Sequence, residues 1–273
     1  MDKIEIVREF YNSSVEHEWT RIENRPEFLL TYRFIERYAK RGSTVLDIGG
    51  GPGRYSIHLA QLGCDVTLLD LSPKNAEFAA TKATELGLSI KTHSGDAREA
   101  DKIVDGKYDC ILLMGPMYHL TEEIDRVAAM DAALRLLKPG GVICVSYISA
   151  TAGMVYAMKD DPACVTHEEE SSYIESILEN RSYSGQAFTH AYFASQHEIL
   201  PFMQRFPFEK LHFFAQEGMM SPCEGNIMSS SPETVAKWLD ICEVLCEREE
   251  LLSWGEHLMY IGRKNSAIKG SGI

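Results

Sequence analysis

The chain has 273 residues, and its 40 acidic and 27 basic side chains give a formal net charge of −13. Its length suits one α/β domain with an insertion, and its acidity leaves no basic stripe for nucleic acid, so a nucleic-acid partner is disfavoured. The sequence has no apolar run long enough to cross a membrane and no signal-peptide blocks, and its seven cysteines are scattered. It therefore predicts a cytoplasmic protein with no membrane partner.

The first 40 residues are predicted to be helical. Apolar side chains from Ile4 to Tyr11 recur at helical spacing, and Pro26 can begin a further helix. We expect Phe34 and Ile35, in that last helix, to pack in the core.

A glycine-rich turn follows the first predicted strand, near 44–48. Gly49, Gly51 and Gly53 lie between this apolar run and a helical pattern that begins at Arg54. A strand, a glycine turn and a helix bring backbone N–H groups and a helix N-terminus up to a small ligand. Asp47 adds a carboxylate that can hold loop amides or a cationic group of the ligand.

Two later strand ends carry acids. The strand near 65–70 ends at Asp70, and in a βαβ unit such a carboxylate can accept hydrogen bonds from both hydroxyls of a ribose. The third strand, near 89–93, leads to Asp96 and Ala97. Further strands near 108–113 and 141–149, with helices near 54–62, 73–87 and 121–137, predict a parallel sheet with helices on both faces. Ligands bind outside the carboxyl ends of strands in such sheets.

The alternation is interrupted after residue 149. A helix over 171–180 and a strand over 187–193 are predicted within an insertion, which we interpret as a cap on the ligand side of the sheet. A helix over 195–206, strands over 209–215 and 257–262, and a long helix over 232–252 resume the pattern. No metal site is predicted, because Cys242 and Cys246 lack zinc-type spacing and His167 does not share a face with its neighbouring glutamates.

Five ordered motifs carry a resemblance to a known family. They are Asp47-x-Gly49-x-Gly51-x-Gly53, Asp70, Gly95-Asp96-Ala97, the run 108–116 and Leu136-Leu137-Lys138-Pro139-Gly140-Gly141-Val142-Ile143. Together they resemble the class I S-adenosylmethionine-dependent methyltransferases, closely over about residues 40–149. The resemblance implies an α/β fold with a Rossmann-like, seven-stranded, mostly parallel sheet, N-terminal helices, a cap insertion and an antiparallel last strand beside the fifth. One domain, 1–273, would comprise a helical lid (1–40), a cofactor-binding core (41–149), the cap (150–194) and the strands that complete the sheet (195–263).

The implied function is methyl transfer from S-adenosylmethionine to a small-molecule acceptor by direct in-line displacement, with S-adenosylhomocysteine as product. Asp70 would accept hydrogen bonds from the ribose hydroxyls. Asp96 and the Ala97 amide would bind the adenine edge. Met114 and Gly115 would lie beside the transferring methyl group. Tyr11 and Trp19 would belong either to a lid over the cofactor or to a helix that simply covers the sheet. The predicted cofactor-binding residues are Asp47, Gly49, Gly51, Gly53, Asp70, Leu71, Asp96, Ala97, Met114, Gly115 and Tyr11.

Tyr118, His119 and His190 are the candidate catalytic residues. His119 is the preferred general base for an oxygen or nitrogen acceptor, because its segment is fixed by the sheet. His190 and Tyr192 would face it from one side of a cap strand. The alternative is that Tyr118 packs on the ligand and His119 caps the following helix.

Two other functions stay open from the sequence, a nicotinamide-dependent oxidoreductase and a non-catalytic S-adenosylmethionine-binding protein. Methylation of a nucleic-acid base is disfavoured, since Gly115 replaces the polar acceptor that precedes proline in enzymes of that type. The identity of the acceptor, the atom that is methylated and the oligomeric state are left open.

Overall fold

The computed structural model describes residues 2–266, and its centre is one mixed sheet. The strands are β1 (Thr44–Ile48), β2 (Asp65–Asp70), β3 (Lys91–Ser94), β4 (Tyr108–Leu113), β5 (Leu137–Ser149), β6 (Tyr183–Gln186), β7 (His190–Ala194), β8 (Phe208–Ala215) and β9 (His257–Lys264). The order β3-β2-β1-β4-β5 is parallel throughout, and β9 lies antiparallel to both β5 and β8. The predicted Rossmann-like sheet with an antiparallel last strand beside the fifth is confirmed. The predicted number of seven strands was wrong, because β6 and β7 of the cap join the sheet and the described residues form nine strands.

Helices cover both faces of this sheet. They are α1 (Lys3–Ser13), α2 (Val15–Arg21), α3 (Pro26–Ile35), α4 (Arg54–Gln61), α5 (Pro73–Glu85), α6 (Ala100–Ile103), α7 (Glu123–Leu136), α8 (Ala152–Asp160), α9 (Ser171–Leu178), α10 (Gln196–Met203), α11 (Glu224–Met228) and α12 (Pro232–Leu245). Within residues 2–266, none of these helices has the length and apolar character needed to span a bilayer.

Strand β1 shows why the sheet is buried on both sides. Its side chains alternate between faces, so Leu46 and Ile48 pack toward α7 and α10 while Val45 packs toward α3 and α12. All three are fully buried. The unbroken apolar run that predicted this strand is thus the pattern expected of a parallel strand covered on both faces.

The cap region differs from the prediction in two places. The predicted strand over 187–193 is a hairpin, with β6 and β7 antiparallel and a turn at 187–189 between them. Phe188, at this turn, is half exposed and its ring lies 5.9 Å from that of Phe10. Helix α8 was not predicted at all. Strand β7 pairs with the last two residues of β5, which attaches the cap at the carboxyl edge of the sheet.

The helix predicted over 232–252 was too long. Helix α12 ends at Leu245, and a 3₁₀ helix follows at Glu249–Trp254. The carbonyl of Cys246 accepts a hydrogen bond from the Ala215 N–H at 3.1 Å. This bond from the end of β8 satisfies a terminal carbonyl of the helix and stops its continuation. Between β8 and α12 lie a 3₁₀ helix, Gly218–Cys223, and α11.

Candidate active site

A cavity of about 140 Å³ lies at the carboxyl ends of β1, β2 and β4, beneath α1 and α2. Twelve of the fourteen predicted site residues line it: Tyr11, Asp47, Gly49, Gly51, Asp70, Leu71, Asp96, Ala97, Met114, Gly115, Tyr118 and His119. The other two, Gly53 and His190, do not. The sheet therefore gathers motifs that are far apart in sequence at one edge, as the alternation of strands and helices predicted.

The glycine turn packs directly on the segment after β4. A side chain at Gly49 would overlap the ring of Pro116, and a Cβ at Gly115 would lie 2.9 Å from the Gly49 carbonyl oxygen. Only glycine at both positions allows this close approach of two backbones. The Gly49 N–H is held by the Leu69 carbonyl at 2.7 Å.

Gly53 has a packing role rather than a place in the cavity. It precedes α4 with a φ of +89°, and a Cβ there would lie 2.8 Å from the Ala79 Cβ on α5. The glycine thus brings two helices together. Gly51 differs, because a Cβ there would have no atom within 4 Å, so its backbone faces open space.

Asp70 holds the glycine turn from the end of β2. Its Oδ2 accepts from the Gly51 N–H at 2.8 Å, and its Oδ1 accepts from the Ser72 N–H at 2.9 Å and the Asn75 amide at 3.1 Å. Only 7% of the residue is exposed, so the Asp70 side chain is buried at the end of its strand. Burial raises the pKa of Asp70, although these three hydrogen bonds oppose the shift.

The other two carboxylates are also held by neighbours that the sequence did not reveal. Asp47 accepts from the Ser56 hydroxyl at 2.7 Å, and burial raises the pKa of Asp47 to about 7. Asp96 caps the turn after β3 by accepting from the Arg98 N–H, and its Oδ2 lies 2.6 Å from the Arg98 guanidinium. Arg98 also donates to Asp125 on α7, which fixes the turn to the next helix.

Tyr11 on α1 contacts His119 directly. The Tyr11 hydroxyl lies 2.6 Å from His119 Nε2, and His119 Nδ1 lies 3.3 Å from the His190 carbonyl. A carbonyl can only accept, so Nδ1 carries the proton and Nε2 accepts from Tyr11. Enclosure by protein lowers the pKa of His119 to about 4, so the ring is neutral at pH 7.

Further contacts hold α1 and α2 over the cavity. The guanidinium of Arg54, at the start of α4, stacks 3.6 Å from the Trp19 ring, and its Nε donates to the Trp19 carbonyl at 2.6 Å. Asn12 accepts from the Ser72 hydroxyl at 2.7 Å, directly beside the Asp70 turn. These contacts hold the N-terminal helices against the cavity, and their role as a lid stays a prediction.

The cap does not present the two side chains that were expected to face His119. His190 contributes its main-chain carbonyl instead of its ring. Tyr192 lies away from the cavity, under the Arg126 guanidinium at 3.7 Å and within 3.2 Å of Glu198. The hairpin accounts for this difference, because its turn changes which residues lie against the site.

A group of buried charges, which the sequence did not reveal, lies beside the cavity. Arg21 on α2 donates to Glu18 at 3.0 Å and to Glu27 at 3.3 Å. His257 Nδ1 lies 2.6 Å from Glu217 Oε1. Burial lowers the pKa of His257, but the carboxylates of Glu27 and Glu217 outweigh it and raise the pKa to about 9.

Three of these residues have the spacing of metal ligands. One ligand atom each from Glu27, Glu217 and His257 lie within 4.8 Å of one another. In this structure His257 Nδ1 is paired with Glu217 Oε1. The absence of a metal therefore stays a prediction.

Comparison with known proteins identifies the central part of the chain. Residues 45–141 match the family model described as a methyltransferase domain. Over these residues the chain is therefore similar to methyltransferase domains. The chain is 38% identical over 110 residues to a ubiquinone biosynthesis O-methyltransferase of Caulobacter vibrioides, and 30% identical over 115 residues to one of Xanthomonas campestris. The first match covers 40% of this chain and 42% of the relative, and the second covers 42% and 47%, so each spans less than half of the relative.

Solved structures match the methyltransferase fold over nearly the whole chain. The magnesium protoporphyrin IX methyltransferase of Synechocystis, with bound S-adenosylhomocysteine, has a TM-score of 0.58 and 18% identity and covers 97% of this chain and 100% of its own. The N-methyltransferase NodS of Bradyrhizobium japonicum has a TM-score of 0.55 and 13% identity, covering 93% and 98%. At these identities the likeness establishes the fold of the chain beyond the matched domain.

Proposed function

We propose that this chain is an S-adenosylmethionine-dependent methyltransferase that acts on a small-molecule acceptor by direct in-line displacement. The observation that carries the proposal is the meeting of the glycine turn, Asp70 and Asp96 in one cavity. The resemblance of the sequence to class I enzymes assigns each of these to one part of the cofactor. The hypotheses of a nicotinamide-dependent oxidoreductase and of a non-catalytic binding protein receive no support from the comparisons.

The residues present fit this cofactor. The open space over Gly51 leaves room for a ligand against the backbone of the turn. A carboxylate offers about four lone-pair positions, and three on Asp70 are filled by Gly51, Ser72 and Asn75. One position on Asp70 is therefore left for a ribose hydroxyl, rather than the two that the sequence suggested.

S-adenosylmethionine supplies an activated methyl group, so the chain has mainly to position the acceptor and exclude water. Such positioning can lower a barrier by roughly 7–11 kcal/mol. Met114 and Gly115 would line the path of the methyl group, and the lid would close over it. His119 can act as a base only through Tyr11, because the Tyr11 hydroxyl is hydrogen-bonded to His119 Nε2. For an acceptor that loses a proton on methylation, such as a hydroxyl group, Tyr11 would take that proton as it passes its own to His119.

Calorimetry with S-adenosylhomocysteine tests the proposal, with NAD⁺ and NADPH as controls. We expect a single site for S-adenosylhomocysteine and no heat with either nicotinamide. The reverse result would overturn the assignment. A screen for S-adenosylhomocysteine release with small acceptors then separates an enzyme from a non-catalytic binder. The cytoplasmic location and the absence of a nucleic-acid or membrane partner stay predictions.

A further inference from the structure

The cavity wall formed by α2 and the start of α3 carries charges that the cofactor assignments do not use. Glu18, Arg21 and Glu27 line the cavity, and the pair of Glu217 and His257 lies behind Glu27. Three carboxylates here face two cations, which leaves one net negative charge. Glu256 close by does not alter this balance, because it is paired with Lys159 at 2.6 Å.

Glu27 is anionic although it is buried. Burial alone would raise its pKa, but His257 and Arg21 lower it below the usual range. The residue is 9% exposed and reaches the cavity. A carboxylate in this setting remains charged at neutral pH and can act on a ligand through little intervening water.

Tyr55 provides a second and independent observation. Tyr55 is 8% exposed and lines the same cavity. Its hydroxyl lies near the Thr31 side chain but makes no contact with hydrogen-bond geometry in the described part of the chain. Among the neighbouring charges, the Glu27 carboxylate contributes most to the raised pKa of this hydroxyl. A buried polar group without a partner costs stability unless a ligand supplies the missing bond. The rings of Tyr11 and Tyr118 line the cavity as well.

We propose that the methyl acceptor is an amine, and that Glu27 and the Tyr55 hydroxyl form its binding subsite. This inference rests on the proposed methyltransferase function. The subsite pairs an anionic oxygen and an unused hydroxyl with aromatic rings, which together suit an N–H donor that becomes positively charged during the reaction.

The direction of charge movement distinguishes amines from oxygen acceptors. The lone pair of a neutral amine forms the new N–C bond as the S–C bond breaks, and the bonding pair returns to sulfur. The N–H protons stay on nitrogen, so the positive charge passes from sulfur to nitrogen. A nearby carboxylate and aromatic faces stabilise that charge as it develops. A phenol must instead ionise before it reacts, and a neighbouring carboxylate disfavours a second anion.

The test uses acceptors matched in shape. The protein with saturating S-adenosylmethionine is offered amines and alcohols on the same carbon skeletons, and 4-hydroxybenzylamine, which carries both groups. Release of S-adenosylhomocysteine gives the rate, and mass spectrometry gives the methylated atom. We expect N-methylation, and at least tenfold faster release with amines than with the matched alcohols. Should no member be methylated, calorimetry of the same pairs with the S-adenosylhomocysteine complex gives the preference, and equal affinities would overturn the proposal.

Two variants test the subsite. Tyr55→Phe removes only the unpartnered hydroxyl, so the free protein should be as stable as the parent or more stable, while KM for the amine rises at least fivefold. Glu27→Gln should lower kcat/KM for amines at least tenfold, with S-adenosylhomocysteine affinity changed less than threefold. Glu16→Gln is the matched control, since Glu16 is exposed on α2 outside the cavity and should change nothing.

Each other outcome has a defined meaning. Methylation of oxygen alone would overturn the inference and leave the proposed function standing, whereas loss of S-adenosylhomocysteine binding in the parent would overturn the proposed function itself. Turnover that EDTA abolishes and a divalent cation restores would assign Glu27, Glu217 and His257 to a metal and overturn the amine subsite. Amine kinetics unchanged in Tyr55→Phe would also count against it.

Discussion

The hydrogen bond between Tyr11 and His119 gives the sharpest prediction about the lid. Tyr11→Phe removes the donor and leaves Nε2 of an enclosed, neutral imidazole without a partner. An unsatisfied buried acceptor costs about 1–3 kcal/mol. The cost falls on the closed lid alone, because the open lid exposes His119 to water. The equilibrium for opening α1 should therefore rise by roughly 5–150-fold.

Hydrogen exchange measures this opening directly. Amides of α1 should exchange faster in Tyr11→Phe than in the parent by that factor, and the difference should shrink when S-adenosylhomocysteine is bound. Tyr156→Phe is the matched control, since Tyr156 is 56% exposed on α8. Equal protection of α1 in Tyr11→Phe, Tyr156→Phe and the parent would show that the hydrogen bond does not hold the lid.

Three further predictions concern the cavity residues. Asp70→Asn should weaken S-adenosylmethionine binding by about 10- to 150-fold, because the one charge-assisted bond left for the ribose is worth roughly 1.5–3 kcal/mol; calorimetry against Asp65→Asn, at the exposed start of β2, checks it. Asp47 has a folded pKa raised to about 7, above its unfolded value, so its contribution to stability is complete at acid pH and is lost as pH rises towards 7. Denaturant unfolding of Asp47→Asn should therefore lack this fall, and an identical pH profile would refute the assignment. His119→Ala should lower turnover across neutral pH, whereas His190→Ala should not, because His190 contributes only its main-chain carbonyl. Full turnover in His119→Ala would refute the role of His119 as a base.

Much of the cofactor side could be predicted from sequence because its signals are local. Gly49, Gly51 and Asp70 each lie at the end of an apolar strand, and a parallel sheet brings such ends to one edge. No tertiary contact had to be known in advance. Asp70 was placed correctly in the sheet, but its burial depends on Ser72 and Asn75, whose bonds to it the strand pattern does not show.

The acceptor side could not be predicted in the same way. Tyr11 meets His119 across 108 positions, and Gln216 meets Thr31 across 185. Glu27, Glu217 and His257 come from a helix start, a loop after β8 and the start of β9. No periodic pattern links these residues, because each contact joins elements that are far apart in the sequence. The hairpin at 187–189 was missed because an apolar phenylalanine at its turn looked like part of a strand.

A lid formed by α1 and α2 would have a kinetic consequence, because these helices bring residues to both ends of the cavity. Tyr11 and Asn12 reach the side of Asp70, while Glu18 and Arg21 form the wall beside Glu27. The methyl acceptor would therefore find a complete binding site only after S-adenosylmethionine has bound and the helices have closed over it. Such an enzyme follows a compulsory order, in which S-adenosylmethionine binds before the acceptor. An inhibitor that competes with the acceptor should then be uncompetitive towards S-adenosylmethionine. Departure of both products waits for the same helices to part, so turnover should slow as solvent viscosity increases.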